Sequence, residues 1–341
     1  MSSRTTAGVF SPFTIRDGFE LSNRIVFAPV YINRANESAE FRNFYAGRAK
    51  GGAGLIITPV QTMGGFTDLY TPAFRKAARM LLDECRAHGA RVIPQVFSGV
   101  GAWVNRMSTR ELSRLPEAFA LCALKLREAG YPGMEIHGAH HSLFMHLLCP
   151  GINQRTDRYN GGLEARAALQ VETVKAVKAG AGRNFSLFYR LSATDFTAGG
   201  FDIIHAVDVA RMLERAGADC LDISAGGTSI SPTGSECPDH TQPESCFRSY
   251  FSKVKRAVKI PVIGAGRINS RAAAEKILVQ GRADLIALGR TLVADPFWPL
   301  KVRQGRETEI LPMNEWYKYM PGYRSAEQHA ATGDGALGTK V

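Results

Sequence analysis

The sequence predicts an α/β protein built as a single (β/α)8 TIM barrel. Three observations carry this expectation. Eight short apolar, β-branched runs recur along the chain, helical patterns of roughly 12 to 20 residues separate them, and glycines close several of those helical patterns.

In order, the runs are RIVFAPV from Arg24, GLIITPV from Gly54, RVIPQVF from Arg91, GMEIHGA from Gly133, FSLFYRLSA from Phe185, CLDISAG from Cys220, PVIGAG from Pro261 and LIALGR from Leu285. Between them, AFRKAARMLLDECRAHGA, EAFALCALKLREAG, AVDVARMLERAGAD and RAAAEKILVQGRAD have amphipathic helical spacing. A glycine near the end of several of these can take the left-handed conformation of a helix C-cap. Strands alternating with helices in this way make parallel βα units, and eight of them close a barrel.

Barrel chemistry sits at the C-terminal ends of the strands. The candidates there are Pro29 to Tyr31, Pro59 and Val60, Gln95, His137, Arg190, Ser224 to Gly227, Gly266 and Gly289 with Arg290. The last two strands close with GAGR and LGR, where small residues let backbone amides approach a phosphate and an arginine adds a charge-assisted contact. A phosphate site after strands seven and eight is common in this barrel.

Composition narrows the function classes. The chain has 341 residues, 45% of them hydrophobic, enough for a large core. Its net charge of +11 attracts anionic ligands, but the charges are scattered and no basic block interleaved with aromatics points to nucleic acid. Six cysteines lie far apart without a CxxC pair, as suits a reducing cytoplasm. Neither a secretory signal nor a membrane-spanning apolar run of about 18 residues is read, so the expectation is a cytoplasmic protein with no membrane partner.

Four of the eight histidines fall at His137, His140, His141 and His146. They can be a metal site, a catalytic pair or polar residues at the mouth of the fold. No Asp, Glu or Cys joins them at ligand spacing, which speaks against zinc. The run NQRTDRYNGGLEAR holds Arg155, Asp157, Arg158, Glu164 and Arg166, and ion pairs bracing a loop suffice to explain its charges.

Seven segments occur together: VFSPFTI, LSNRIVFAPV, RAKGGAGLIIT, EIHGAHHSLFMHLLCPGINQRTDRYNGG, YRLS, IPVIGAG and ADLIALGRTLVADP. In that order and near that spacing, they resemble the Old Yellow Enzyme family of FMN-dependent oxidoreductases. The similarity is to the barrel domain of its NADH:flavin oxidoreductase/2,4-dienoyl-CoA reductase-like branch. It implies a barrel over residues 1–310 and a C-terminal extension with a mobile tail over 311–341.

The resemblance implies a role for each matching residue. Ala28, Pro29, Val30 and Tyr31 match the turn that brackets the flavin, and Val60 lies at the next strand end. Gln95 matches the glutamine that reads the pyrimidine edge, and Arg190 the arginine beside flavin N1 and O2. Gly266, Gly289 and Arg290 match the phosphate grip, while His137 and His140 match the pair that hydrogen-bonds a substrate oxygen above the flavin. FMN is thus the implied cofactor, NADH or NADPH the electron donor, and no metal is implied at the histidines.

Several positions depart from the family pattern. Ser142 stands where a tyrosine usually protonates the substrate, Ser98 and Gly101 replace a histidine and an arginine, and Tyr31 replaces a small residue against the flavin. Met313, Trp316 and Met320 occupy positions where iron–sulfur members carry cysteines, so no such cluster is expected. The expected activity is NAD(P)H-dependent reduction of a carbonyl-conjugated alkene. Flavin-dependent dehydrogenation or redox-neutral isomerisation is the second reading, and a flavin-binding protein without turnover the third. A homo-oligomer is left open.

Overall fold

The computed structural model describes residues 8–60, 69, 71–97, 99, 103–226 and 243–321. Near its start, β1 (Phe13–Arg16) and β2 (Phe19–Leu21) pair antiparallel as a hairpin. Gly18 turns it with φ 80°, a left-handed value that costs glycine little. Its strands FTIR and FEL are too short to show a period in the sequence.

Eight parallel strands then close a barrel. They are β3 (Ile25–Phe27), β4 (Leu55–Pro59), β5 (Arg91–Phe97), β6 (Gly133–Gly138), β7 (Ser186–Ser192), β8 (Cys220–Ser224), β9 (Val262–Gly264) and β10 (Leu285–Leu288). Each falls within one of the eight runs. Closure comes from β10 against β3, with Ile286 opposite Ile25 and Leu288 opposite Phe27. The predicted (β/α)8 class is therefore the observed one.

Helices ring the barrel: α1 (Ala39–Lys50), α2 (Pro72–Ala87), α3 (Thr109–Ser113), α4 (Leu115–Glu128), α5 (Leu143–Leu148), α6 (Leu163–Ala181), α7 (Ile203–Ala216), α8 (Arg248–Ala257), α9 (Arg271–Val279), α10 (Arg290–Ala294) and α11 (Trp298–Arg303). Local sequence sets their ends. Thr71 caps α2 by accepting from the Phe74 amide, with Pro72 at the first turn where its missing N–H costs nothing. At α7, Asp202 accepts from two amides, and Gly217 ends the helix at φ 110°.

Side-chain alternation splits the core into two shells. Outward residues such as Leu187, Tyr189 and Leu191 of β7 pack beneath the helices, while Phe188 of the same strand faces into the barrel. Inside, Val26, Leu55, Ile57, Ile93, Ile263 and Leu285 join Ile15, Phe19 and Leu21 of the hairpin. The Phe19 and Phe188 rings lie 5.7 Å apart. The hairpin thus plugs the N-terminal end of the barrel with apolar side chains and leaves polar inward positions to the opposite end.

After α11, a 3-10 turn spans Met313–Tyr319 and sets Trp316 and Met320 against the outer shell. Among the described residues no helix is long and apolar enough to cross a membrane. Cys85, Cys122, Cys149 and Cys220 are buried free thiols and Cys246 is a half-buried one, whereas Cys237 lies outside the described residues.

Candidate active site

Strand register gathers a polar row at the C-terminal end of the barrel. Gln95 of β5 lies opposite Glu135 of β6, His137 opposite Arg190 of β7, and Arg190 opposite Asp222 of β8. All five point inward, because their chain neighbours Val96, Met134, Ile136, Tyr189, Leu191, Leu221 and Ile223 pack outward beneath the helices. Gln95 Nε2 donates to Glu135 Oε1 at 2.7 Å, and Arg190 Nη1 is 3.4 Å from Asp222 Oδ2. Glu135 and Asp222 were not singled out from the sequence, although the alternation of EIH and LDIS already placed both carboxylates inward.

The histidine cluster divides. His137 ends the inward row of β6, and Phe97 packs on it with ring centroids 5.6 Å apart. His140 follows in the turn after β6 at φ 58°, a left-handed conformation uncommon outside glycine that costs about 1–3 kcal/mol. Two serines hold it there. The His140 amide donates to Ser192 Oγ at 3.1 Å, and its Nε2 lies 2.8 Å from Ser224 Oγ. The result is two imidazoles with ring centroids 5.2 Å apart.

Both imidazoles are neutral. Burial, with Arg190 and then His141 adding positive charge nearby, pushes His137 down to about 3. Burial first, then Arg190 and the neighbouring histidines, also holds His140 well below the ordinary value. A neutral imidazole offers one N–H and one acceptor nitrogen. The Ser224 hydroxyl can donate to Nε2 or accept from it, and in the first case His140 carries its N–H at Nδ1. His146 is buried on α5, and no three His, Cys, Asp or Glu side chains among the described residues converge to hold a metal ion.

Ser142 is fully buried, and its Oγ accepts from the Met145 amide at 3.2 Å, capping α5. Ser142, expected where relatives carry a proton donor, is therefore a helix cap. The charged run after it is a brace. Arg155 donates to the Val104 and Met107 carbonyls and pairs with Asp157, Arg158 pairs with Glu172, and Arg166 donates to the Leu148 and Gly161 carbonyls.

The remaining candidates follow the ends of β3 and β4, where Val30 and Val60 pack against the outer shell. Ala28 is buried in the inner shell, the Val30 carbonyl accepts from the Tyr45 phenol at 2.5 Å, and Tyr31 is 55% exposed beside Asn33. Pro29 lies between Ala28 and Val30, half-buried like Val30. The Val60 amide donates to the Gln95 carbonyl at 2.8 Å, tying the end of β4 to β5. Ser98 and Gly101 lie outside the described residues.

After β9 and β10 the chain turns on two glycines. Gly266 takes φ 117°, and a Cβ there would sit 2.7 Å from the Phe247 ring. A Cβ on Gly289 would meet only the Ala28 methyl, at 3.8 Å. Arg290 follows directly, as the first residue of α10, and forms no ion pair with the described residues.

The mouth of the barrel thus sets two glycine turns and Arg290 after the last two strands, and an inward polar row beside two buried imidazoles. The chain belongs to the NADH:flavin oxidoreductase/NADH oxidase family, whose model matches residues 83–309. The resemblance to Old Yellow Enzymes read from the seven motifs holds.

Among relatives, it is 32% identical over 328 residues to an NADH oxidase of Thermoanaerobacter brockii, covering 85% of this chain and 50% of that protein. It is 29% identical over 338 residues to an NADPH dehydrogenase of Bacillus pumilus (strain SAFR-032), covering 89% of this chain and 96% of that protein. The chain thus spans about half the length of the first relative and nearly all of the second. Among solved structures, a 2-naphthoyl-CoA reductase complex shares the fold with a TM-score of 0.78 at 23% identity, over 89% of this chain and 53% of that one.

Proposed function

We propose that this chain binds FMN noncovalently at the C-terminal mouth of the barrel and uses NAD(P)H to reduce a carbonyl-conjugated alkene. The observation that carries this reading is the inward row Gln95, His137 and Arg190 beside a second neutral imidazole, His140. When bound, FMN supplies hydride chemistry, accepting from a nicotinamide and passing on to an organic substrate.

The chain's own residues do the rest. Gly266, Gly289 and Arg290 would hold the phosphate, the turn from Ala28 to Tyr31 and Val60 would flank the ring, and Gln95 would face its pyrimidine edge. Arg190 sets a positive charge beside that edge, which favours negative charge arriving there. His137 and His140 present neutral N–H donors to one carbonyl oxygen, polarising the alkene and stabilising the enolate oxygen. Because both stay neutral, neither is lost to protonation near neutral pH.

A second reading has a specific observation behind it. Ser142 is consumed as a helix cap, so protonation of the substrate α-carbon falls to water, to His141 or to the exposed phenol of Tyr31. Dehydrogenation or redox-neutral isomerisation needs that donor less.

Supplying FMN to the purified protein and adding NADH or NADPH without oxygen tests both. Bleaching of the visible flavin bands, reversed by cyclohexenone, supports alkene reduction. Bleaching by a saturated substrate alone supports dehydrogenation. A protein that stays colourless with FMN, or prefers FAD, would sink the reading.

A further inference from the structure

The barrel interior holds two carboxylates that the imidazole pair and the phosphate cradle do not use. Glu135 on β6 and Asp222 on β8 are both 0% exposed. Among the described residues one cation, Arg190 of the intervening β7, serves them, and it lies nearest Asp222. The other ionisable groups facing Glu135 are His137 on its own strand, which is neutral, and Cys220 on β8, whose buried thiol is held in its neutral form. Below lie the apolar side chains of the hairpin plug.

With both carboxylates ionised, two negative charges would meet one positive charge in a closed, dry space. An uncompensated buried charge is costly, and a carboxyl group escapes the cost by keeping its proton. Glu135 Oε1 accepts from Gln95, whereas Glu135 Oε2 and Asp222 Oδ1 have no hydrogen-bond partner among the described residues. A proton on Glu135 Oε2 would remove the uncompensated charge and leave Arg190 and Asp222 as a balanced pair.

We infer that Glu135 is a positioning residue, a neutral acid inside the barrel that aims the Gln95 amide and preserves the charge of Arg190 for the pyrimidine edge of a bound flavin. The ligand half of this inference rests on the FMN reading above, and the proton half does not. With Nε2 donated to Glu135, Gln95 offers its carbonyl end to the site, where it can accept from an N–H such as the flavin imide. Burial, reinforced by Asp222 and opposed by Arg190 and Gln95, pushes the Glu135 carboxyl up to about 8. The folded state then binds more protons than the unfolded chain between about pH 4.3 and about pH 8, so Glu135 makes stability fall as pH rises through that window.

The test compares wild type with Glu135→Gln, an uncharged isostere of the protonated acid. In the absence of FMN, thermal unfolding of wild type should lose more stability than E135Q between about pH 5 and 9, and infrared spectra should show a carboxylic-acid carbonyl band that E135Q lacks. With FMN, wild-type affinity should weaken about tenfold between pH 7 and 9.5 while that of E135Q stays level. Equal pH slopes and equal infrared spectra in the two proteins would overturn the inference. If E135Q does not fold, Asp222→Asn decides, because removing the neighbouring negative charge should move loss of the acid band to lower pH, and an unmoved band overturns the assignment. A protein with the acid band that ignores FMN upholds the proton and refutes the flavin reading. One that binds FMN with no acid band does the reverse.

Discussion

Single residues make the sharpest predictions at the phosphate end and at the imidazole pair. Arg290 has no ion pair with the described residues, so Arg290→Ala should remove a charge-assisted phosphate contact worth ~1.5–3 kcal/mol. FMN affinity measured by fluorescence quenching should fall roughly ten- to a hundredfold, and an unchanged affinity would place the phosphate elsewhere. At the other end, a phenol such as p-hydroxybenzaldehyde should bind over the flavin as phenolate and give a long-wavelength absorption band. His137→Ala or His140→Ala should weaken it by about 1.5–3 kcal/mol while the flavin stays bound. The pH dependence has a definite sign. His137 titrates near 3 in the fold and near 6.5 in the unfolded chain, so the unfolded state binds more protons between those values. Its contribution to stability is therefore present above about pH 6.5 and lost as pH falls towards about 3. His137→Asn should shallow that acid limb in thermal unfolding, and an unaltered limb would mean that His137 is not held neutral.

At the scale of elements, two turns and a hairpin carry the predictions. Gly266→Ala forces a side chain into the left-handed region and against Phe247, so it should lower both thermal stability and FMN affinity. A variant with wild-type values for both would show that the turn relaxes freely. Ser142→Ala should cost about 0.5–2 kcal/mol in denaturant unfolding through loss of the α5 cap, whatever its effect on turnover. Ser142→Tyr should destabilise further, since the position is fully buried and a phenol overfills it. The hairpin is a stopper for the barrel, and Phe19→Ala should cost about 3–5 kcal/mol by opening a cavity beneath Phe188. These elements were unevenly legible. RVIPQVF coincides with β5 residue for residue because a long apolar β-branched run has few alternatives, whereas the hairpin's three- and four-residue strands are too short to show a period.

The whole molecule depends on closure between β10 and β3, elements more than 250 residues apart in the chain. Ending the chain before Leu285 would expose the edges of β3 and β9 together and open the inner shell. Such a fragment should lose near-ultraviolet circular dichroism and aggregate, and a fragment with a native near-ultraviolet spectrum would show that closure is dispensable. The sequence by itself determined the barrel class and the eight strands, because period, turn chemistry and motif spacing are local properties. It also marked Gln95, His137 and Arg190, in the C-terminal halves of their strands, and Arg290, two residues past β10. Only the tertiary structure decided how the histidines divide, since that depends on two serines from β7 and β8 that hold His140 in a left-handed turn. Closure likewise set Glu135 and Asp222 on either side of Arg190. Separated in the chain, these are ordinary ionised side chains, and register together with the loss of water makes them a coupled group whose charge the fold has to settle.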